Sequence, residues 1–429
     1  MKKFVIILLA ACLILGCAVG YFVGRDRDRG EPVLIRDPEP AAEPAEEPES
    51  EPAEESAAPQ PEPESVPESE PAEESAAPAI TIRALDYEAI RALHEPDEVV
   101  GSVGGREVRW DEYFYWLHSV GVQTEQYVQT LALYGQSLDW NDKLSSDSDT
   151  TLAGYVIEMA QEYSGQLNVI EAVAEENKVS LTPENEAEIA ENLRQTIEGA
   201  CGEGATEEDF NALLAQEMIS REMYDRLERA NYLYQNTFIA LYGRDGEKVP
   251  QETALAFLRD NSYLCASHIL FATRDLESGE AVDDAAAAEK LQQAEAVSAE
   301  LRAIKDPKER AARFAALKEQ YCEDTGKVQF PEGYLFLPGA MVPEFEEGVK
   351  ALGEYQVSEP VLSGYGYHVI MRLPLSAEMT MDYSEAGTPL DARAVYANEQ
   401  FNIMMSSRIE TSAFVLRDGA AIELTDYLK

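Results

Sequence analysis

Ala266-Ser267-His268-Ile269-Leu270 is answered about a hundred residues later by Gly364-Tyr365-Gly366-Tyr367-His368-Val369-Ile370. Each histidine opens a short apolar run of strand character, Ile269-Leu270-Phe271 and then Val369-Ile370-Met371. Between them lies Met341-Val342-Pro343-Glu344-Phe345-Glu346, where Pro343 suits the first turn of a short helix. Two strands each carrying an imidazole, with Met and Phe supplied by the connection, describe a small apolar pocket with a polar floor. Taken singly, a histidine at the head of an apolar strand is more often a satisfied core residue, and Met341 and Phe345 are simply core. The ordered set is what carries information.

That set resembles the parvulin family of peptidyl-prolyl cis/trans isomerases, over roughly Tyr263 to Leu373. Tyr321-Cys322-Glu323-Asp324, after a Phe314–Gln320 helical stretch, matches the family's Y-S-x-D turn. The resemblance implies an FKBP-like α+β domain over 263–374 that rotates X-Pro amides. It implies catalytic positions at His268, Asp324, Ser363 and His368, with neutral imidazoles sharing hydrogen bonds. Met341 and Phe345 become the substrate-binding slot for the proline ring. Asp324 falls where parvulins carry a Cys or Asp facing the amide, with an electrostatic role or a grip on a backbone N–H. A plain turn residue at the end of the helix is the other reading of Asp324.

The chemistry makes few demands. An X-Pro amide rotates over a barrier of about 18–20 kcal/mol. No bond breaks, so neither nucleophile, cofactor nor metal is required, and each ~1.4 kcal/mol removed gives about tenfold in rate. One departure from the family stands out. Where parvulins carry Gly-Asp/Asn-Leu-Gly, this chain reads Phe330-Pro331-Glu332-Gly333-Tyr334-Leu335-Phe336, and the leucine that helps wall the slot is displaced or absent. No basic run flanks the pocket, which argues against a phosphorylated Ser/Thr-Pro substrate.

Outside this segment the composition falls into regions. Met1-Lys2-Lys3 precedes an uncharged run from Phe4 to Gly24, long enough to span a bilayer, and Arg25-Asp26-Arg27-Asp28-Arg29 stops it. Residues 1–30 therefore read as a single-pass anchor or signal segment. Ile14-Leu15-Gly16-Cys17 alternatively resembles a lipobox, with Cys17 as the lipidated residue. Either fate places the folded part outside the cell membrane and tethered to it. Residues 31–84 read as a disordered acidic linker: 12 of the 22 prolines lie between 31 and 80, and Glu51–Pro59 recurs unchanged as Glu70–Pro78. Such a chain has no apolar surface to offset its ordering entropy.

Residues 85–262 read as the N-terminal part of a helical chaperone domain and 375–429 as its C-terminal part. Val99–Val108 reads as two strands around Gly104-Gly105. Asp111 is placed as the cap of a helix with Tyr113, Phe114, Trp116 and Leu117 on its aromatic face. Further helices are expected over 152–177, from Thr182-Pro183, over 210–241 and over 391–409. Ala413–Leu416 and Ala421–Leu424 bracket Asp418-Gly419 as a hairpin expected to pair with 99–108. The whole is thus an α+β chain: a helical domain built from both ends, with the 263–374 domain inserted. This layout is similar to the PrsA- and SurA-like extracytoplasmic foldases.

A net charge of −47 excludes nucleic acid as a partner, since phosphates demand Lys and Arg. Cys201, Cys265 and Cys322 form no disulfide framework, and His94, His118, His268 and His368 are too scattered for a metal site. The expected partners are unfolded or partly folded exported polypeptides, through their X-Pro segments. The leading expectation is a membrane-tethered isomerase. The alternative is a holdase whose aromatic and Met-bearing helices (Met218, Met223, Met404, Met405) bind clients, beside a weak or inactive parvulin module.

Overall fold

The computed structural model describes residues 82–145, 148–384 and 387–429. The expected anchor, the Cys17 lipobox and nearly all of the expected linker lie outside the described residues. Among those described, no helix is long and apolar enough to cross a membrane.

Sequence-distant segments meet in a helical body. Strands β1 (Val99–Val103) and β2 (Arg106–Arg109) form the expected hairpin, Val103 opposite Arg106, turning at Gly104 and Gly105, whose φ of 56° and 85° suit glycine. Strand β9 (Phe414–Leu416) joins the other edge of β1, Gly101 opposite Leu416. Farther along, Asp86 N–H donates to the Tyr427 carbonyl and Lys429 N–H to that of Ala84. Both ends of the described chain therefore close one body.

Helices α2 (Trp110–Leu133), α3 (Leu152–Glu176) and α6 (Arg221–Tyr242) form its centre, with α4 (Pro183–Cys201) and α5 (Glu207–Gln216) alongside. A short helix α1 (Tyr87–Arg91) precedes β1. Glu112 of α2 is fully enclosed and meets Arg226 of α6 at 2.5 Å and Asn168 of α3 at 2.7 Å, while Arg226 also holds Glu171 at 2.6 Å. Burial pushes the Glu112 pKa up, opposed by the Arg226 charge.

The structure corrects four expectations. Asp111 does not cap α2. The helix begins two residues earlier, with Arg109 at the cap position, and the Trp110 and Asp111 N–H groups find the carbonyls of Glu98 and Pro96. The single helix expected over 210–241 is two, because Met218 turns left-handed (φ 57°) and Ser220 caps the second by accepting from Met223 N–H. Residues 421–424 form no strand; Leu424 turns into the core and opens a 3-10 turn. Finally, Tyr113, Phe114, Trp116, Leu117, Met223 and Met405 are all buried core, not an exposed client-binding face. An amphipathic pattern of aromatics seeks whatever covers it, and here α3 and β9 do so; Tyr113 stacks on Phe414 at 5.1 Å.

After α7 (Gln251–Asp260) the chain enters a four-stranded antiparallel sheet in the order β4-β3-β6-β5: β3 (Leu264–Ala272), β4 (Tyr334–Phe336), β5 (Val361–Leu362), β6 (Gly366–Arg372). Helices α8 (Asp284–Ala303) and α9 (Pro307–Tyr321) cover one face against Ile269, Phe271, Val369 and Met371. The short helix α10 (Pro343–Lys350) covers the other, setting Phe345 and Val349 against Ala266 and Ile370. The two-residue period of β3 and β6 sorts these sets to opposite faces. A ribbon of β7 (Asp382–Tyr383) and β8 (Pro389–Leu390) leads into α11 (Ala392–Thr411), capped by Asp391. Leu258, Cys265, Leu335, Met379 and Ala392 share a seam core between sheet and helices.

Candidate active site

The β3–β6 register pairs Leu270 with His368 and His268 with Ile370, so the two histidines are diagonal neighbours on one face. Their rings lie nearly parallel (11°) with centroids 5.0 Å apart, and their Nδ1 atoms are 2.8 Å apart. The remaining ring nitrogens are both occupied. His268 Nε2 lies 2.8 Å from Asp324 Oδ2, and His368 Nε2 lies 2.7 Å from Ser363 Oγ.

Pairing logic assigns the protons. An ionised carboxylate only accepts, so His268 donates through Nε2–H. Its Nδ1 then accepts from His368 Nδ1–H, and His368 Nε2 accepts the Ser363 hydroxyl proton. Ser363 Oγ in turn accepts from Tyr365 N–H at 3.1 Å. The four side chains form one directed chain ending on a negative charge. Burial, and then His268 beside it, lower the His368 pKa to about 3 against the opposing pull of Asp324, so this imidazole is neutral. Burial alone would raise Asp324, but hydrogen bonds from His268, the Tyr334 hydroxyl (2.5 Å) and Gly326 N–H (3.0 Å) outweigh it. They hold the carboxyl well below the usual carboxylate range.

Asp324 reaches His268 because the chain after α9 lies along β3 where β4 no longer pairs. β4 covers only Leu264 to Ala266. Farther along, Glu323 N–H donates to the Leu270 carbonyl, the Glu323 carboxylate accepts from Ala272 N–H, and Cys322 Sγ accepts from Leu270 N–H. The exposed edge is satisfied, and the carboxylate is set down beside the imidazole. Burial raises the thiol pKa of Cys322 and pushes that of Cys265 up to about 12, so both remain thiols and part of the packing.

Phe345 stands edge-on to both imidazoles, centroids 5.2 and 5.5 Å away. Phe336 packs on Phe345, and half-buried Met341 joins the same cluster. All six expected site residues, His268, Asp324, Ser363, His368, Met341 and Phe345, therefore lie in one neighbourhood. The expected departure has structural content: the stretch without the leucine supplies aromatic walls, Phe336 and Tyr334, instead. Tyr334 was not among the expected site residues. It pairs with Ala266 on β3, two residues from His268, and so shares its face. Its ring meets His268 edge-on at 5.6 Å.

Residues 268–373 match the rotamase family, described as the PPIC-type PPIASE domain. The chain is 50% identical over 68 residues to the foldase protein PrsA 3 of Bacillus anthracis, covering 16% of this chain and 24% of that one. It is 44% identical over 84 residues to the chaperone SurA of Chromohalobacter salexigens, 18% of either chain. The matches span about a quarter of the length of the PrsA relatives. Among solved structures, PrsA from Bacillus subtilis is 17% identical, covering 62% of this chain and 89% of that one, at a TM-score of 0.24. At that score the likeness carries no argument about how the parts of this chain are arranged.

Proposed function

We propose that this chain is a peptidyl-prolyl cis/trans isomerase, tethered to the cell membrane on its extracytoplasmic side, that assists the folding of exported polypeptides. The observation that carries the catalytic reading is the directed chain Ser363–His368–His268–Asp324 beneath the Phe345 and Met341 cluster. The family match over 268–373 and the identity to PrsA and SurA proteins support it. The uncharged run Phe4–Gly24 and the Pro/Glu-rich stretch after it support the tether.

A planar amide owes its rigidity to a resonance form with negative oxygen and positive nitrogen. Seating the proline ring in the aromatic slot strips water from that polar form and so favours the twisted one. The Asp324 carboxylate is poorly screened, with 17% of its side chain exposed. Beside the bound amide, it opposes the charge build-up on oxygen that planarity needs. The imidazoles and Ser363 fix that carboxylate and the floor of the slot while transferring no proton. Three of the Asp324 lone-pair positions are already taken, which favours an electrostatic role over a grip on a substrate N–H.

A protease-coupled isomerisation assay on residues 81–429 with a panel of X-Pro peptides tests this. The expected result is a rate above background that falls about a hundredfold in Asp324→Ala and about tenfold in Met341→Ala. A flat rate from folded protein would overturn the enzyme. It would favour the holdase reading, for which Leu133 (85% exposed), Tyr134 (79%) and Tyr127 (59%) at the end of α2 offer exposed apolar surface.

A further inference from the structure

A side chain from outside the matched 268–373 segment reaches the active-site loop. Tyr383, on β7, donates its hydroxyl to the Gln329 carbonyl at 2.6 Å and sets its ring edge-on to Phe330 at 5.9 Å. Phe330 packs on Tyr334 at 5.3 Å, and Tyr334 donates to Asp324. The loop between Asp324 and β4 is also fixed by the 3-10 turn Thr325–Val328, by Phe330 and Gly333 N–H groups on the Gly326 and Phe330 carbonyls, by Lys318 Nζ on the Pro331 carbonyl and by Lys327 Nζ on that of Cys322. Gly326 confirms how close the approach is, since a Cβ there would collide with the Tyr334 hydroxyl.

We propose that Tyr383 is a positioning residue for the isomerase site: the ribbon ahead of α11 holds the 325–333 loop, and through Phe330 and Tyr334 it fixes the Asp324 carboxylate. The inference rests on the isomerase reading for its effect on rate, though not for its effect on the carboxylate. The ribbon's second strand runs straight into the Asp391 cap of α11, and α11 packs on α3 and α7. The helical body thus has a mechanical hold on the catalytic loop of the inserted domain. Sequence pattern alone hides this, because Tyr383 sits in a short polar stretch beyond the last strand of the domain.

The test compares full-length wild type with Tyr383→Phe, Tyr383→Ala and Tyr334→Phe. It measures kcat/KM on an X-Pro peptide, thermal unfolding, and the titration of the Asp324 carboxyl carbon by NMR. Groups facing that carboxyl are His268, Tyr334, Cys322 and Lys318, with the Gly326 N–H, and none of these is itself substituted in the Tyr383 variants. The expected result is a loss of kcat/KM of about fivefold in Tyr383→Ala and about twofold in Tyr383→Phe. Alongside it, the Asp324 titration midpoint rises in Tyr383→Ala, in the same direction as in Tyr334→Phe. An unchanged midpoint in folded Tyr383→Ala overturns the proposal, whatever happens to the rate. If wild type itself shows no isomerase activity, the enzyme reading fails while the midpoint still decides whether Tyr383 positions Asp324.

Discussion

Two buried polar networks in this molecule look alike in composition and differ in what they leave open. In the helical body Glu112, Asn168, Glu171 and Arg226 pair with one another across α2, α3 and α6, and Arg106 of β2 joins them at Glu171. A cation sits among carboxylates and each strong donor has a strong acceptor. In the PPIC-type domain Ser363, His368, His268 and Asp324 form an open line of mostly neutral groups, capped at one end by a charge and lying beside Phe345 and Met341. The closed network can only hold helices together. The open one keeps a poorly screened charge beside a slot. Burial of polar groups therefore does not by itself identify a site, whereas a buried charge adjoining an apolar hollow points to one.

The largest break in this comparison comes from Arg226→Leu. It leaves Glu112 buried without its cation and is expected to lower unfolding stability by about 3–5 kcal/mol, read from urea titrations. Isomerisation per folded molecule stays unchanged. Adding Glu112→Leu to the same chain recovers much of the loss, since a buried pair is replaceable by packing where a widowed charge is not.

Acidification probes both regions through their histidines. Burial lowers His368 to about 3, and burial with the Arg91 charge lowers His118 to about 4. The unfolded chain takes up these protons near pH 6.5 while the native state refuses them. Each group's contribution is thus complete above about pH 6.5 and is lost as pH falls toward the folded value, at up to about 1.4 kcal/mol per unit. Urea midpoints at pH 7 and pH 5 should show the loss, and His118→Phe should remove the helical body's share alone. A midpoint that is flat across this range would contradict neutral burial of both rings.

The smallest effect is expected from Ser363→Ala. Removing the donor at the head of the line leaves the buried acceptor His368 Nε2 without its hydrogen bond, at a cost of about 1–2 kcal/mol in stability. The Asp324 end is untouched, so the rate should fall only a few-fold, far less than in Asp324→Ala. Equal losses in the two variants would mean that the line acts as a proton path, contrary to the electrostatic reading.

The site was legible to the extent that it obeys strand period and order. His268, His368, Met341, Phe345 and Asp324 could be found because their order along the chain resembles the parvulin pattern, in settings that are local: an apolar run, a Pro-started turn, a helix end. Tyr334 had none, since its place depends on pairing with Ala266 across the sheet, a register that no local pattern encodes. Its only trace was the oddity of the Pro331–Phe336 stretch. The helix break at Met218 was missed for the opposite reason. Apolar spacing ran through it, although Ser220 ahead of Arg221-Glu222-Met223 is an ordinary capping signal. Burial of the α2 aromatics needed knowledge of what covers them.

The pairing of Gly101 with Leu416 has a consequence in time. A ribosome releases β1 and β2 long before β9, so the helical body waits for its third strand while the whole PPIC-type segment emerges in between. That segment carries its own core between α8, α9, α10 and its sheet, and it can collapse first. Its early compaction draws the ends of the host toward each other and shortens the loop that β9 must close, easing the slow long-range step. The inserted module is then an early folding scaffold for the very chain that contains it.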